Sequence, residues 1–320
     1  MVRRLLLFIS LIGLFSSLLI GCGSTTKLVD GKVNVITSFY PLYDFTSKIG
    51  GEHVNAINLV PAGVEPHDYS LKSRDMMDIT KAELFVYQGA GFEGWVHDFM
   101  DSLKSDANVK IIEASKGAKL LQVSADDKGH GEEGHNHQES KDHEGEMQVD
   151  PHAWLSPSNA KKMGENIRDG LIQVDPANKA DYEKNYEKFA AQMTDLDARY
   201  KSALSATKKK EIAVSHQAFA YLCNDYGLTQ MSIMGLSPDS EPTAQDLKQI
   251  NAFIKEHDVK YIFFEELVSD KLAKTLAKDA KIETMVLNPV EGLTEKQIQA
   301  GEDYFSVMDN NLKNIVKALQ

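Results

Sequence analysis

One stripe of apolar and aromatic side chains at helical spacing runs through the middle of this 320-residue chain. Its members follow one another by three or four residues and are Tyr182, Tyr186, Phe189, Met193, Leu196, Tyr200 and Leu204. Such spacing places all of them on one face of an α-helix whose other faces are charged. Asp175 and Pro176 supply an N-cap and a first-turn proline, so one helix is predicted over 175–207. At about 1.5 Å per residue this helix would span roughly 45 Å, the length of a whole domain.

Short apolar runs rich in β-branched residues alternate with amphipathic stretches on both sides of this helix. Before it, the predicted strands are Val33–Phe39, Val54–Val60, Leu84–Tyr87 and Val109–Ile112. After it, they are Glu211–Ser215, Met231–Met234, Tyr261–Phe264 and Thr284–Leu287, and the last predicted helix is Glu295–Ala318. Strands that alternate with helices form parallel sheets covered by helices on both faces. The predicted fold class is therefore α/β, with a first lobe over 32–174 and a second over 208–320, joined by the long helix.

The N-terminal segment has the pattern of a secretory signal. Two arginines precede an apolar run, Leu5–Ile20, which ends just before Cys22. A basic start, an apolar stretch of this length and a small residue at its end are typical of a cleaved signal. The Leu-Ile-Gly-Cys sequence that ends at Cys22 also resembles the bacterial lipobox, in which the cysteine becomes lipidated. We expect 1–21 to be a lipoprotein signal peptide and 22–31 a tether; an ordinary signal with a chance cysteine is the alternative.

A histidine-rich and acidic segment, residues 126–147, differs from both lobes. It contains eight acidic residues, almost no apolar ones, and the four histidines His130, His135, His137 and His143. Such a composition cannot bury enough apolar surface to offset the entropy of ordering, so a disordered loop in the first lobe is predicted. Exposed histidine and carboxylate groups make weak, exchanging contacts with metal ions. We expect weaker, auxiliary ions here; a solvated linker is the alternative.

Three other histidines lie where predicted strands give way to loops or helices. His67 follows the second strand, His152 follows the histidine-rich segment, and His216 directly follows the strand that ends at Ser215. Ligands of parallel α/β sheets bind beyond the carboxyl ends of strands, so the three could meet in a crevice between the lobes. Neutral imidazole suits Zn²⁺, and three histidines with one oxygen donor complete a tetrahedron. Spacing alone leaves open that each histidine is an ordinary surface or core residue.

Other residues in these segments have simpler predicted roles. Asp150 adjoins His152 and could orient its imidazole or cap a turn. Glu265 ends a predicted strand and is expected to bond to nearby backbone. Trp154 is expected to pack in the core or at its rim, and Cys223 to be a buried, inert thiol.

Six stretches spread over nearly the whole chain carry a family resemblance. They are Thr37–Leu42 (TSFYPL), Glu65–Ser70 (EPHDYS), Asp150–Pro157 (DPHAWLSP), Val214–Phe219 (VSHQAF), Gly235–Thr243 (GLSPDSEPT) and Asp303–Met308 (DYFSVM). Together they resemble the zinc- and manganese-specific solute-binding lipoproteins of bacterial ABC importers. The resemblance implies two α/β lobes joined by one long rigid helix, with the metal in the cleft between them. It places His67, His152 and His216 on the family's ligand positions and Glu291 on the fourth, where water is the alternative.

The third ligand position separates the two branches of that family. Manganese members carry a carboxylate there, whereas this chain has His216, and more imidazole with less oxygen favours zinc. By resemblance, we expect one tightly bound Zn²⁺, held at the extracellular face of the cytoplasmic membrane by a protein anchored in lipid through acylated Cys22. The expected partners are an ABC permease and its ATPase, and Mn²⁺ is the alternative cargo. Binding should weaken below about pH 6, where protons compete for imidazole.

The remaining sequence bears on other classes of function. A formal net charge of −12 disfavours nucleic acid as a partner, and we expect a monomer. No Ser-His-Asp elbow, His-Glu-x-x-His motif or glycine-rich phosphate loop is found, so we do not expect an enzyme. A zinc-dependent hydrolase and an adhesin-like surface lipoprotein stay as alternatives, although no adhesive patch is recognisable.

Overall fold

The computed structural model describes residues 28–103, 108–124, 147–238 and 242–320. The predicted signal peptide and Cys22 lie outside these ranges, as do the four loop histidines His130, His135, His137 and His143. Within the described ranges, two parallel sheets flanked by helices confirm the predicted α/β class with two lobes.

Four parallel strands form the sheet of the first lobe, in the order β2-β1-β3-β4. They are β1 (Val33–Thr37), β2 (Val54–Asn58), β3 (Leu84–Tyr87) and β4 (Lys110–Glu113). Every residue of β1 is buried, as expected of a central strand that helices cover on both faces. Strand β1 ends earlier than predicted because the chain turns at Phe39 into helix α1 (Tyr40–Gly50), which has Pro41 in its first turn.

Three more helices belong to the first lobe within the described residues: α2 (Ser73–Lys81), α3 (Val96–Ser102) and α4 (Pro157–Val174). Helix α4 was not predicted, although its start is marked in the sequence. The Ser156 side chain accepts a hydrogen bond from the Asn159 amide, and Pro157 occupies the first turn. An antiparallel hairpin of β5 (Gln122–Ser124) and β6 (Met147–Val149) was also missed. Met147, the last residue of the predicted loop 126–147, is therefore the first residue of a strand.

The helix that joins the lobes, α5 (Lys179–Ser205), has 27 residues. It begins later than predicted because Pro176–Asn178 form a separate 3₁₀ turn. The predicted stripe is buried, apart from the partly buried Tyr186, and packs against α1 and α4. Although α5 is long, its outer faces are charged, and no helix among the described residues is long and apolar enough to cross a membrane.

The second lobe repeats the strand order of the first. Its parallel sheet has the order β8-β7-β9-β10, so in both lobes the first strand is central and the second lies alone on one side. The strands are β7 (Glu211–Val214), β8 (Thr229–Ser232), β9 (Tyr261–Phe264) and β10 (Glu283–Val286). No internal repeat is visible in the sequence, so the two lobes share architecture without evident sequence similarity.

Five helices of the second lobe lie in the described residues: α6 (Ala220–Tyr226), α7 (Ala244–Glu256), α8 (Lys271–Ala280), α9 (Glu295–Gln299) and α10 (Tyr304–Ala318). The prediction of one helix over Glu295–Ala318 is therefore wrong. Gly301 adopts a positive φ of 73° after α9, which breaks the helix. The Asp303 side chain then accepts a hydrogen bond from the Ser306 amide and starts α10.

One continuous apolar core includes residues of both lobes and the stripe of α5. The Tyr200 hydroxyl donates to the Met308 carbonyl at 2.7 Å, which ties α5 to α10. The Asn185 amide donates to the Ile49 carbonyl at 3.1 Å, which ties α5 to the end of α1. Separate, smaller clusters pack on the other face of each sheet. Helix α5 thus belongs to the core of both lobes, which limits their relative movement.

The contact between α4 and α5 depends on a glycine. A Cβ added at Gly164 would lie 2.4 Å from Cε1 of Phe189 and 3.3 Å from Cδ1 of Ile49. We expect Gly164→Ala to destabilise the fold by about 1–3 kcal/mol, because overpacking outweighs the helix propensity of alanine. Urea denaturation would measure the loss. Gly94→Ala is the control, since a Cβ there has no neighbour within 4 Å; equal stabilities of the two variants would contradict the prediction.

Candidate metal centre

Four side chains from four separate segments meet between the lobes. His67 lies between β2 and α2, and His152 lies between β6 and α4, both in the first lobe. His216 follows β7, and Glu291 lies between β10 and α9, both in the second lobe. One nitrogen or oxygen atom from each lies within 4.8 Å of the others. The four residues named from the sequence are brought together, with His67 partly exposed and the rest buried.

The spacing of these atoms is that of a small tetrahedral site. Nε2 of His152 lies 3.3 Å from Nε2 of His67 and 3.3 Å from Nε2 of His216. Measured from Oε1 of Glu291, the Nε2 atoms lie at 3.4 Å for His67, 3.2 Å for His152 and 3.7 Å for His216. A tetrahedral Zn²⁺ with bonds of ~2.0–2.1 Å separates its ligand atoms by about 3.3–3.4 Å. The donor set and the spacing both suit one ion of this kind.

Two buried carboxylates orient the imidazoles of His152 and His216. Nδ1–H of His152 donates to Oδ1 of Asp150 at 2.8 Å, and the His152 amide donates to the same oxygen at 2.9 Å. Nδ1–H of His216 donates to Oε1 of Glu265 at 2.7 Å, and the Ser215 hydroxyl donates to that oxygen too. A proton held at Nδ1 leaves the lone pair of Nε2 for a metal and fixes the plane of the ring. Both rings are therefore oriented before any ion binds.

The carboxylate of Glu291 is 1% exposed, and neither of its oxygens has a hydrogen-bond partner within the described ranges. Burial alone would raise the pKa of Glu291, but the facing imidazoles of His152 and His67 lower that pKa well below its usual range. A buried, ionised carboxylate is costly unless a cation neutralises it. The two unpartnered oxygens therefore fit a bound metal ion.

The cleft is open beside His67. A cavity of about 550 Å³ is bordered by His67 and Phe92 of the first lobe and Leu236 of the second. The ring of Phe92 meets that of His67 edge-on, with 4.9 Å between centroids. No hydrogen bond to Nδ1 of His67 is found in the part of the chain that the structure describes, in contrast to the other two histidines. An ion would therefore enter past the most exposed and least constrained ligand.

Glu65 lies next to the four-residue cluster but is not part of it. Its Oε1 accepts the His67 amide hydrogen at 3.2 Å, which shapes the loop before the histidine. Burial and the charge of Glu291 raise the pKa of Glu65 to about 9, so this carboxyl group is protonated at neutral pH. Glu65 contributes no atom to the cluster of possible ligand atoms, which leaves Glu291 as the carboxylate of the site.

Glu265 is the functional residue that sequence reasoning missed. It was expected to bond to backbone, but it accepts hydrogen bonds from the side chains of Ser215 and His216. A signal was present, because Glu265 directly follows β9 and β9 is the neighbour of β7, which ends next to Ser215. The carboxyl ends of adjacent parallel strands lie side by side, so a carboxylate at one end can reach an imidazole at the other.

Two α/β lobes that share one long helix and hold three imidazoles and a carboxylate in their cleft define a solute-binding protein for a metal ion. The family model of ZnuA, described as zinc-uptake complex component A, periplasmic, matches residues 35–318. The chain belongs to this family.

Three relatives show how far the similarity extends. The zinc-binding lipoprotein AdcA of Streptococcus pneumoniae is 42% identical over 311 residues, which are 96% of this chain and 59% of AdcA, so the chain spans about three fifths of that relative. The high-affinity zinc uptake system protein ZnuA of Bacillus subtilis is 39% identical over 307 residues, 94% of each chain. The crystal structure of the Zn(II)-bound ZnuA-like domain of S. pneumoniae AdcA matches with a TM-score of 0.75 and 39% identity, over 90% of this chain and 99% of that domain.

Proton competition at His152 generates a pH prediction. Burial opposes a charge on this imidazole, but the carboxylates of Asp150 and Glu291 outweigh it and raise the pKa of His152 to about 10. The metal-free site therefore holds a proton that a metal at Nε2 must displace, so affinity rises with pH. We expect the apparent Zn²⁺ affinity to fall about tenfold for each pH unit between roughly pH 8 and pH 6. Competition with a chelator of known pH dependence would measure it, and a flat profile would contradict the assignment.

The carboxylate behind His216 can be tested directly. Glu265→Gln replaces a charged hydrogen-bond acceptor by a neutral amide. This change makes Nε2 of His216 a weaker metal ligand and fixes the orientation of the imidazole ring less firmly. We expect Zn²⁺ affinity to fall about tenfold to a hundredfold, measured by competition titration. Glu283→Gln is the matched control, because Glu283 is an exposed carboxylate on β10 of the same sheet. Equal affinities in the two variants would show that Glu265 has no influence on the metal.

Proposed function

We propose that this protein captures one Zn²⁺ ion outside the cell and delivers it to an ABC-type importer. The observation that carries the proposal is the tetrahedral spacing of three Nε2 atoms and Oε1 of Glu291, at 3.2–3.7 Å from that oxygen. His67, His152, His216 and Glu291 would bind the ion as cargo. Membership of the ZnuA family and the names of the zinc-binding relatives support the same cargo.

Zinc is favoured over manganese by the chemistry of the ligands. Three imidazoles and one carboxylate supply more nitrogen than oxygen, and Mn²⁺ prefers oxygen donors and a higher coordination number. His216 is decisive here, because a carboxylate at its position would balance nitrogen and oxygen. Glu265 supports the histidine, since a carboxylate at 216 would place a like charge beside the buried Glu265 and would remove the imidazole N–H that Glu265 accepts.

We infer the cellular location and the partners of the protein from the predicted N-terminal signal and from the family. We place it at the extracellular face of the cytoplasmic membrane, held by an acyl chain on Cys22, as a monomer. The loaded protein would dock on an ABC permease, and a separate ATPase would supply the energy. Segment 126–147 would raise the local concentration of zinc through weak contacts with its histidines.

We propose no catalytic role for the site. Hydrolytic zinc sites keep one coordination position for water, whereas Oε1 of Glu291 lies 3.2 Å from Nε2 of His152 and would occupy the fourth position here. The family is one of zinc-uptake components, which agrees with a role in binding and transfer.

The decisive measurement is metal stoichiometry and affinity for the full chain in detergent micelles. We expect one tightly bound Zn²⁺, preferred over Mn²⁺, and affinity at least about tenfold weaker in His216→Ala, which loses a ligand. His97→Ala is the control, because the His97 side chain is 86% exposed on α3 and is not part of the four-residue cluster.

Retention of full affinity by His216→Ala would exclude the cleft as the tight site and make segment 126–147 the principal candidate. A parent protein that binds Mn²⁺ as tightly as Zn²⁺ would contradict the choice of cargo while leaving the site in place.

A further inference from the structure

The loop that carries Glu291 is attached to both lobes. On the side of the second lobe, the Asn288 amide donates to Oδ1 of Asn311 at 2.9 Å, and its carbonyl accepts from Nδ2 of Asn311 at 2.6 Å. On the side of the first lobe, the indole N–H of Trp154 donates to the Pro289 carbonyl at 2.7 Å. Pro289 lies two residues before Glu291, so the indole bond acts on backbone next to the proposed ligand.

Between these two attachments the backbone is strained. Val290 has a positive φ of 59°. A β-branched residue rarely adopts this left-handed conformation, which persists only where the surroundings hold it. The Val290 side chain is fully buried, and its amide donates to Oδ1 of Asn288 at 2.7 Å. Because this turn sets the direction of the next residue, the contacts that hold Val290 also place Glu291.

The position of the Glu291 side chain depends on the local backbone more than the positions of the His152 and His216 rings do. The rings of His152 and His216 are oriented by hydrogen bonds to Asp150 and Glu265. The Glu291 carboxylate has no comparable hydrogen bond within the described part of the chain and faces only the three ligand histidines, at 3.2–3.7 Å. Apart from the charge of those histidines, its position before metal binding is therefore determined by the loop and by what holds that loop.

Trp154 is well suited to hold the loop that carries Glu291. Its side chain is fully buried and meets Phe39 and Phe92 edge-on, with centroids 4.7 Å and 5.1 Å away. Its carbonyl accepts a hydrogen bond from the Tyr304 hydroxyl at 2.6 Å. The indole nitrogen can only donate, and when buried it needs the acceptor that Pro289 supplies. The ring is thus fixed by packing, and its one polar atom points at the loop.

We propose that Trp154 is a positioning residue that sets the Glu291 carboxylate across the cleft through its hydrogen bond to Pro289. Trp154 follows His152 by two residues, so one indole connects the segment of a first-lobe ligand to the loop of a second-lobe ligand. The inference rests on the proposed function, in which Glu291 binds zinc.

A double-mutant cycle in the full chain, purified in detergent micelles, tests this role. Trp154→Phe removes the N–H group and is made both in the parent and in Glu291→Ala. We expect Zn²⁺ affinity to fall about tenfold in the parent and to stay unchanged in Glu291→Ala, because the effect passes through that carboxylate. The visible absorption bands of bound Co²⁺ should change in Trp154→Phe, since they report the ligand geometry. The control is Trp95→Phe, whose ring packs on Phe85 and Phe99 outside the cleft.

The outcomes separate the two proposals. If Trp154→Phe weakens Zn²⁺ binding equally in the parent and in Glu291→Ala, the proposed role of Trp154 is overturned. Such a result would mean that Trp154 acts through His152 or through the stability of the fold. Unchanged affinity in Trp154→Phe beside a weakened His216→Ala would overturn the role of Trp154 alone. Full affinity in both His216→Ala and Glu291→Ala would reject the zinc site itself, and the role of Trp154 with it.

A second substitution covers the case in which Trp154→Phe does not fold. Benzothienylalanine at 154 keeps the shape of the indole and replaces only the N–H by sulfur, so ring packing is retained. We expect the same tenfold or so weakening of Zn²⁺ binding from this change, because only the bond to Pro289 is lost. Binding as tight as in the parent would overturn the proposal.

Discussion

The carboxylate of Glu291 is buried among three imidazole nitrogens at 3.2–3.7 Å and has no hydrogen bond to offset its charge within the described residues. Ionised groups taken out of water cost several kcal/mol unless a counter-charge lies close by. In the metal-free protein the protonated imidazole of His152 supplies that counter-charge, and in the loaded protein a metal ion would replace it. Proton and metal therefore compete for one buried anion, and the surrounding architecture keeps that anion in place.

The backbone and the neighbouring side chains position the ligands of the site. His216 and Glu265 lie at the ends of neighbouring parallel strands, where the carboxylate orients the imidazole ring. His152 and Asp150 follow β6 of the hairpin, and the Asp150 carboxylate orients the His152 ring as Glu265 orients that of His216. Contacts across the cleft then hold the two halves together, since the Gly63 amide also donates to the Leu293 carbonyl at 3.0 Å. The geometry of the site follows from backbone and neighbouring side chains, so it is largely formed before an ion arrives.

Much of this could be predicted from the sequence, and the misses have physical causes. The apolar stripe of α5 and the strand runs are periodic patterns, which sequence reports well. Helix α4 was missed because its glycines and polar residues dilute its apolar face, even though Ser156 and Pro157 mark its start. The histidines were found through their positions after strands and through family motifs. The expected core packing of Trp154 is confirmed. The partners of Glu265 and Trp154 were missed because they are distant in sequence: a pairing of residue 265 with 216, or of 154 with 289, exists only after folding.

The shared core of the two lobes also determines how the molecule loses its structure. Because α5 lies in one apolar cluster with residues of both lobes, neither lobe can unfold alone without exposing the stripe of that helix. The clusters around α2 and α3, and around α7 and α8, are separate from it and can open locally at lower free-energy cost. Binding at the cleft stabilises the cooperative central unit by mass action. Bound zinc would then stabilise both lobes together. Proteases would cleave the central unit more slowly in the loaded protein than in the empty protein, whereas cleavage in the outer layers would differ little between the two.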